Sequence, residues 1–219
     1  MTTRPGRRPA QVAAAGPLPT RAQLAQRTRQ VLKPARGLKA AVLVVASPDG
    51  DFVVKDFGAR RTRLRAWMLR RELCIHRALE AVDCVPRVLG AIDPWAMALE
   101  LRPGEALTRS IAARLPAAFL DELEAAVDAM HECGVVHLDL RHRDNVLLGE
   151  SGHPVVLDFG SAMHFRRGSV LYRYYRPTLL RYDHAALRKW RERLRADAAP
   201  SPRTWRRRLR SGWRRLRGR

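Results

Sequence analysis

Residues 135–160, VVHLDLRHRDNVLLGESGHPVVLDFG, constrain this chain more than any other stretch. His137-Leu138-Asp139-Leu140 presents a carboxylate on a loop, and Asn145 opens a short strand, NVLL. A second short strand, VVL, delivers Asp158-Phe159-Gly160. A tight hairpin of this kind brings two carboxylates and a carboxamide together. Such oxygen donors can hold a divalent cation and aim a hydroxyl at a phosphate.

The remainder of the chain has to support that hairpin. At 219 residues it is long enough for one two-lobed domain with a substantial core. Cys74, Cys84 and Cys133 show neither paired nor metal-ligand spacing and read as reduced core thiols of a cytosolic protein. No apolar run approaches the ~20 residues of a membrane span. The N-terminal QVAAAGPLP is short and broken by proline, so no signal peptide is expected. The net charge of +21 sits at the ends: eight Lys/Arg and no acid in residues 1–36, nine Arg and no acid in 201–219, leaving +4 between them. Basic ends of this kind suit anionic partners.

In chain order, residues 1–19 read as a disordered basic N-terminus. Thr20 is placed to cap a helix from Arg21 to Leu32, ended by Pro34. AVLVVA (41–46) and DFVVKDF (51–57) flank the turn Ser47-Pro48-Asp49-Gly50 and read as a hairpin. Lys55 lies within the second run, where a lysine either points to solvent or meets a charge. Residues 61–82 read as a helix with Leu64, Met68, Ile75 and Leu79 on one face. Glu72 shares that face. It can pair with Lys55, with Glu80 as the fallback, or make a surface contact with His76 or an arginine. Two apolar runs follow, RVLGAI and WAMALEL, and the second ends at Glu100-Leu101. Residues 116–133 form the best helix, with Pro116 in the first turn, acids early and Gly134 as the stop. His131 reads as a helix-end side chain rather than a ligand.

The order and spacing of HLDL, Asn145 and DFG resemble the protein-kinase catalytic and metal-binding loops, H-R-D-L-x-x-x-N followed by D-F-G. The likeness covers roughly residues 36–165, where the chain resembles small bacterial kinase-like proteins of the lipopolysaccharide-kinase and RIO-like atypical type. It implies an α+β, two-lobed protein-kinase-like fold: a β-rich N-lobe with a leading helix over 20–101 and a truncated helical C-lobe over 102–198. It implies ATP and Mg2+ as cofactors. VVKDF resembles the family's V-A-I-K strand, so Lys55 and Glu72 are expected at the ATP phosphates, and Glu100 and Leu101 at the adenine edge. Asp139 is expected to orient the acceptor hydroxyl, and Arg141 to steady the transferred phosphoryl group. Asn145 and Asp158 are expected to hold the metal, Gly160 to permit the tight turn, and His137 to act as loop scaffold.

The chain departs from the family in three places. No G-x-G-x-x-G precedes Lys55; only Gly37, within PARGLKA, is available, with Arg36 or Lys39 to add charge. Asn145 lies one residue further from Asp139 than the pattern has it, so either the loop bulges or Asp144 shares the metal. Past Gly160 there is no A-P-E, and a terminal helix is expected around Asp183, Ala186, Leu187 and Lys189.

After the linker at Ala199-Pro200, Trp205, Leu209, Trp213 and Leu216 form one apolar stripe in an arginine-rich tail, 199–219. This is the pattern of an interfacial helix on anionic lipid, with a disordered tail and nucleic-acid binding as the other readings. The expected location is cytoplasmic, with peripheral contact at the inner face of the cell membrane. The function these features imply is a compact atypical serine/threonine protein kinase. The alternatives are a kinase of lipopolysaccharide core or another sugar, so that the acceptor is a protein or glycolipid hydroxyl, and an inactive nucleotide- or nucleic-acid-binding adaptor.

Overall fold

The computed structural model describes residues 17–108, 111–166 and 168–198. Most of the expected basic leader and the whole 199–219 tail lie outside them. The described chain is α+β, with a β-sheet lobe and helices. In order it comprises α1 (Arg21–Arg27), β1 (Thr28–Lys33), β2 (Ala41–Val45), β3 (Phe52–Asp56), α2 (Arg63–Ala78), β4 (Val88–Asp93), β5 (Ala96–Glu100) and β6 (Gly104–Ala106). There follow α3 (Phe119–Glu132), β7 (Val135–Val136), β8 (Val146–Gly149), β9 (Pro154–Val156), β10 (Met163–His164) and α4 (Val170–Ala198).

The first five strands form one antiparallel sheet in the order β1-β2-β3-β5-β4. Strand alternation gives it two apolar faces. Val45, Phe52, Val54, Ala96 and Ala98 pack under Leu24 of α1. Val53, Phe57, Met97 and Leu99 pack under Leu69 and Leu73 of α2. Lys55 lies between Val53 and Phe57 in the alternation and therefore faces α2. Arg21 fastens α1 to the sheet through Asp56 and Asp93. Thr62 starts α2 by accepting the Arg65 N–H at 3.3 Å.

The larger core joins Ile75 and Leu79 of α2 to Phe119, Leu123, Val127 and Met130 of α3 and to Ala186, Leu187 and Trp190 of α4. Two small sheets, β6-β8-β9 and β10-β7, carry the intervening loops. The expected hairpin of NVLL and VVL is β8 and β9, with Val146 opposite Val156. No helix among the described residues is long and apolar enough to cross a membrane.

Four expectations change. The first helix stops at Arg27 rather than Leu32, and 28–33 becomes an edge strand on β2. The Thr28 hydroxyl donates to the Leu24 carbonyl and the Ala46 N–H to the Arg27 carbonyl, turning the chain into the ladder. In α2 the expected face holds at Glu72, Ile75 and Leu79, which are buried, but Leu64 is 49% exposed, and Leu69 and Leu73 join the buried side. Cys74, on the outer side of α2, is exposed rather than a core thiol. The terminal helix begins at Val170, well before Asp183, and runs through Pro177.

Candidate active site

The site is built where β3, α2 and the loops around β8 and β9 meet. Lys55 is 9% exposed and Glu72 2%. The Lys55 Nζ lies 2.5 Å from Glu72 Oε1 and 2.7 Å from Asp158 Oδ1. The ammonium is thus held between a buried carboxylate on the helix and a half-exposed one on the loop. Glu72, not Glu80, is the partner, and the solvent-facing alternative for Lys55 does not hold. Burial works against the Lys55 charge, but Glu72 and Asp158 outweigh it and hold its pKa above the ordinary lysine value. Burial likewise opposes the Asp158 charge, but Lys55 wins and brings its pKa down to about 2.

Asp158 adopts a left-handed conformation, φ 62°, and caps a short turn by accepting the Gly160 N–H at 3.4 Å. The demanding backbone conformation belongs to Asp158, not to Gly160 as expected. An aspartate tolerates this region better than most residues because its short side chain bonds the local backbone. Arg71 of α2 then clasps the segment beyond, donating to the Gly160 carbonyl at 2.9 Å and to that of Ala162.

Asp139 stands on the loop between β7 and β8. Its Oδ2 and its own carbonyl each accept from Asn145 Nδ2 at 2.9 Å. Asn145 is 2% exposed, whereas Asp144 turns outward to Lys33 at 3.6 Å, its side chain 51% exposed. The additional residue in the loop is taken up by a tight turn over Arg143–Asn145, which brings Asn145 back onto Asp139. The loop bulges, and Asp144 does not take the inner position.

His137 ties the two acidic loops together. Its Nδ1 accepts the Asp139 N–H at 3.2 Å and its Nε2 donates to the Leu157 carbonyl at 3.0 Å. These two bonds require the neutral ring in one tautomer. Burial lowers the pKa of His137, in keeping with a scaffold role. Phe159, fully buried, packs between His137, tilted with centroids 4.9 Å apart, and His76, edge-on at 5.0 Å. The His76 Nδ1–H donates to the Pro86 carbonyl at 3.2 Å, and burial, with Lys55 adding to it, brings its pKa to about 4.

Asp183 on α4 completes the support. One oxygen accepts the His137 N–H at 2.8 Å and the other the Leu138 N–H at 2.9 Å. His131 Nε2 reaches the same carboxylate at 3.0 Å; His131 stands in the last turn of α3, as expected, and is buried there against Asp183. Leu138 has φ 66°, costly for a leucine, and these bonds hold it there. Trp190 adds a bond from Nε1 to the Leu140 carbonyl at 2.8 Å. Sequence reasoning placed Asp183 on a helix but missed its bonds to the loop.

The remaining expected residues have contacts with other groups. The Arg141 guanidinium sits 4.9 Å over the Tyr182 ring. Glu100 ends β5, pairing with Arg102 at 2.9 Å and accepting the Arg87 N–H at 3.1 Å, and Leu101 follows it. The loop joining β1 to β2 is closed by a bridge between Arg36 and Lys39, with Gly37 at φ 54°. Buried Arg65 donates to the carbonyls of Gly37 and Phe57 and so fastens that loop to α2.

No family model matches the chain. Over 56 residues it is 39% identical to Myotonin-protein kinase of Homo sapiens, a match covering 26% of this chain and 9% of that protein. This is a partial likeness to a protein kinase over about a quarter of the chain.

Proposed function

We propose that the chain is a compact, two-lobed atypical kinase that transfers a phosphoryl group from ATP to a hydroxyl, with a serine or threonine of a protein as acceptor. The observation that carries this reading is the Lys55 ammonium held between Glu72 and Asp158, 2.5 and 2.7 Å away. A buried lysine fixed in this way is a preset point charge for the phosphates of a nucleotide.

The donors present fit a hard cation. With Nδ2 given to Asp139, Asn145 keeps its side-chain carbonyl oxygen, and Asp158 is ionised with a second oxygen beyond the one bonded to Lys55. Asn145 and Asp158 would hold magnesium, which, when bound, offsets the charge on phosphate oxygens. Asp139 orients the acceptor hydroxyl and takes its proton late, as the new oxygen–phosphorus bond forms and ADP leaves. Asn145 and His137 fix its loop. Arg141 steadies the transferred group, and the backbone at Glu100 and Leu101 receives the adenine edge.

The test is transfer of label from radiolabelled ATP with magnesium, comparing wild type with Asp139→Asn across protein and glycolipid acceptors. Label on protein that disappears in the variant supports the reading. Label on a glycolipid replaces the acceptor with a lipopolysaccharide-core or other sugar hydroxyl. ATP binding without transfer by either protein replaces catalysis with a nucleotide-binding adaptor.

A further inference from the structure

α2 carries Glu72 inward and a different chemistry outward. Arg63, Trp67, Arg70, Cys74 and Arg77 recur at alternating intervals of four and three, which on an α-helix is one straight stripe. All five are exposed, Trp67 by 53%, with Leu64 beside it at 49%. Arg60 and Arg61, also exposed, extend the positive charge ahead of the helix. The only acid from Arg60 to Arg77 is Glu72, which is buried and paired with Lys55. The outward stripe therefore combines cations with two large apolar side chains and no anion. From Arg63 to Arg77 it runs about 21 Å along the helix.

We propose that this stripe seats α2 on an anionic lipid surface. Arginine heads meet lipid phosphates while their methylene stems lie along the apolar layer. Trp67 suits the headgroup boundary, where the indole ring is buried and its N–H stays wet. Leu64 decides between anionic partners: a nucleic-acid backbone would satisfy the arginines but leave the leucine in water. This surface is independent of the C-terminal tail and of the catalytic reading.

Cys74 lies within the stripe, between Arg70 and Arg77, and provides a local reporter, since Cys84 is buried. In the full chain carrying Cys133→Ser, a polarity-sensitive thiol fluorophore at Cys74 is titrated with vesicles of phosphatidylcholine, with and without phosphatidylglycerol. The expected result is a blue shift on the anionic vesicles alone. In Arg70→Glu/Arg77→Glu its midpoint should move to at least about tenfold more lipid, and the shift should shrink in Trp67→Ser. Each variant is first shown to keep the melting temperature of the parent, so that a lost shift is not a lost fold. Four outcomes overturn the proposal: no shift on anionic vesicles, an equal shift on phosphatidylcholine, a shift unchanged by the substitutions, or a shift produced by duplex DNA or RNA and not by vesicles.

Discussion

Lys55 keeps its charge in a place that disfavours charge. It is 9% exposed, and its ammonium is stabilised because Glu72, itself 2% exposed, lies 2.5 Å away. Removing one member of such a pair leaves the other buried without compensation, which costs more than the pair contributes. Lys55→Met is therefore expected to lower the unfolding free energy by about 3–5 kcal/mol. Lys55→Met/Glu72→Met should lose less than the single change, because no orphaned carboxylate remains. Urea denaturation of the two single variants and the double variant checks this. If the double variant is the less stable by the sum of the singles, the two side chains are not coupled. Both single changes are expected to abolish phosphoryl transfer, so stability and activity should separate in the double variant.

At the scale of elements, α4 sets the conformation of the Asp139 loop through one carboxylate. Asp183→Asn keeps one oxygen and turns an amide N–H toward either the His137 or the Leu138 N–H. The expected loss is about 2 kcal/mol, the cost of a buried donor without a partner. Faster amide exchange at residues 137–140 should accompany it, with α3 unchanged. Slow exchange there in the variant would mean that Leu138 holds its positive φ without help. The same distinction explains what was legible beforehand. The β2–β3 and β8–β9 hairpins followed from apolar runs bounded by turn residues, and Glu72 from its phase on α2. Asp183, Arg65 and Arg71 could not be read in the same way, because their partners are backbone groups, which every residue carries. The strand state of 28–33 was hidden too, since TRQVLK has too few apolar residues to show a period and takes its conformation from β2. The exposure of Leu64 was missed for the opposite reason: it shares the apolar period of Ile75 and Leu79, but only those two are carried into the larger core.

The whole molecule should respond to acid in two stages. His76 and His137 are buried as neutral rings, with their pKa values held below the ordinary 6.5 and that of His76 near 4. Unfolding below pH 6.5 therefore takes up protons that the native state refuses, and stability present above 6.5 is lost as pH falls toward about 4. For His76 alone this amounts to about 3 kcal/mol. Asp158, whose pKa is lowered from 3.8 to about 2, contributes stability above about 4 that is lost only in the second stage below it. Melting wild type and His76→Gln between pH 7.5 and 4.5 should give converging curves, with the variant the flatter; parallel curves would show that the imidazole charges without unfolding anything. These groups all lie where the sheet lobe meets the rest of the chain. Among the contacts that cross that boundary are Lys55 to Asp158, His76 to Phe159, and Arg71 to the carbonyls beyond Asp158. The exposed Lys33–Asp144 pair adds little by comparison.

The Arg71 clasp has a mechanical corollary. It ties the helix to the segment after Asp158 through two backbone carbonyls. A displacement of α2 that keeps both bonds therefore carries Glu72 and the backbone just beyond Asp158 together.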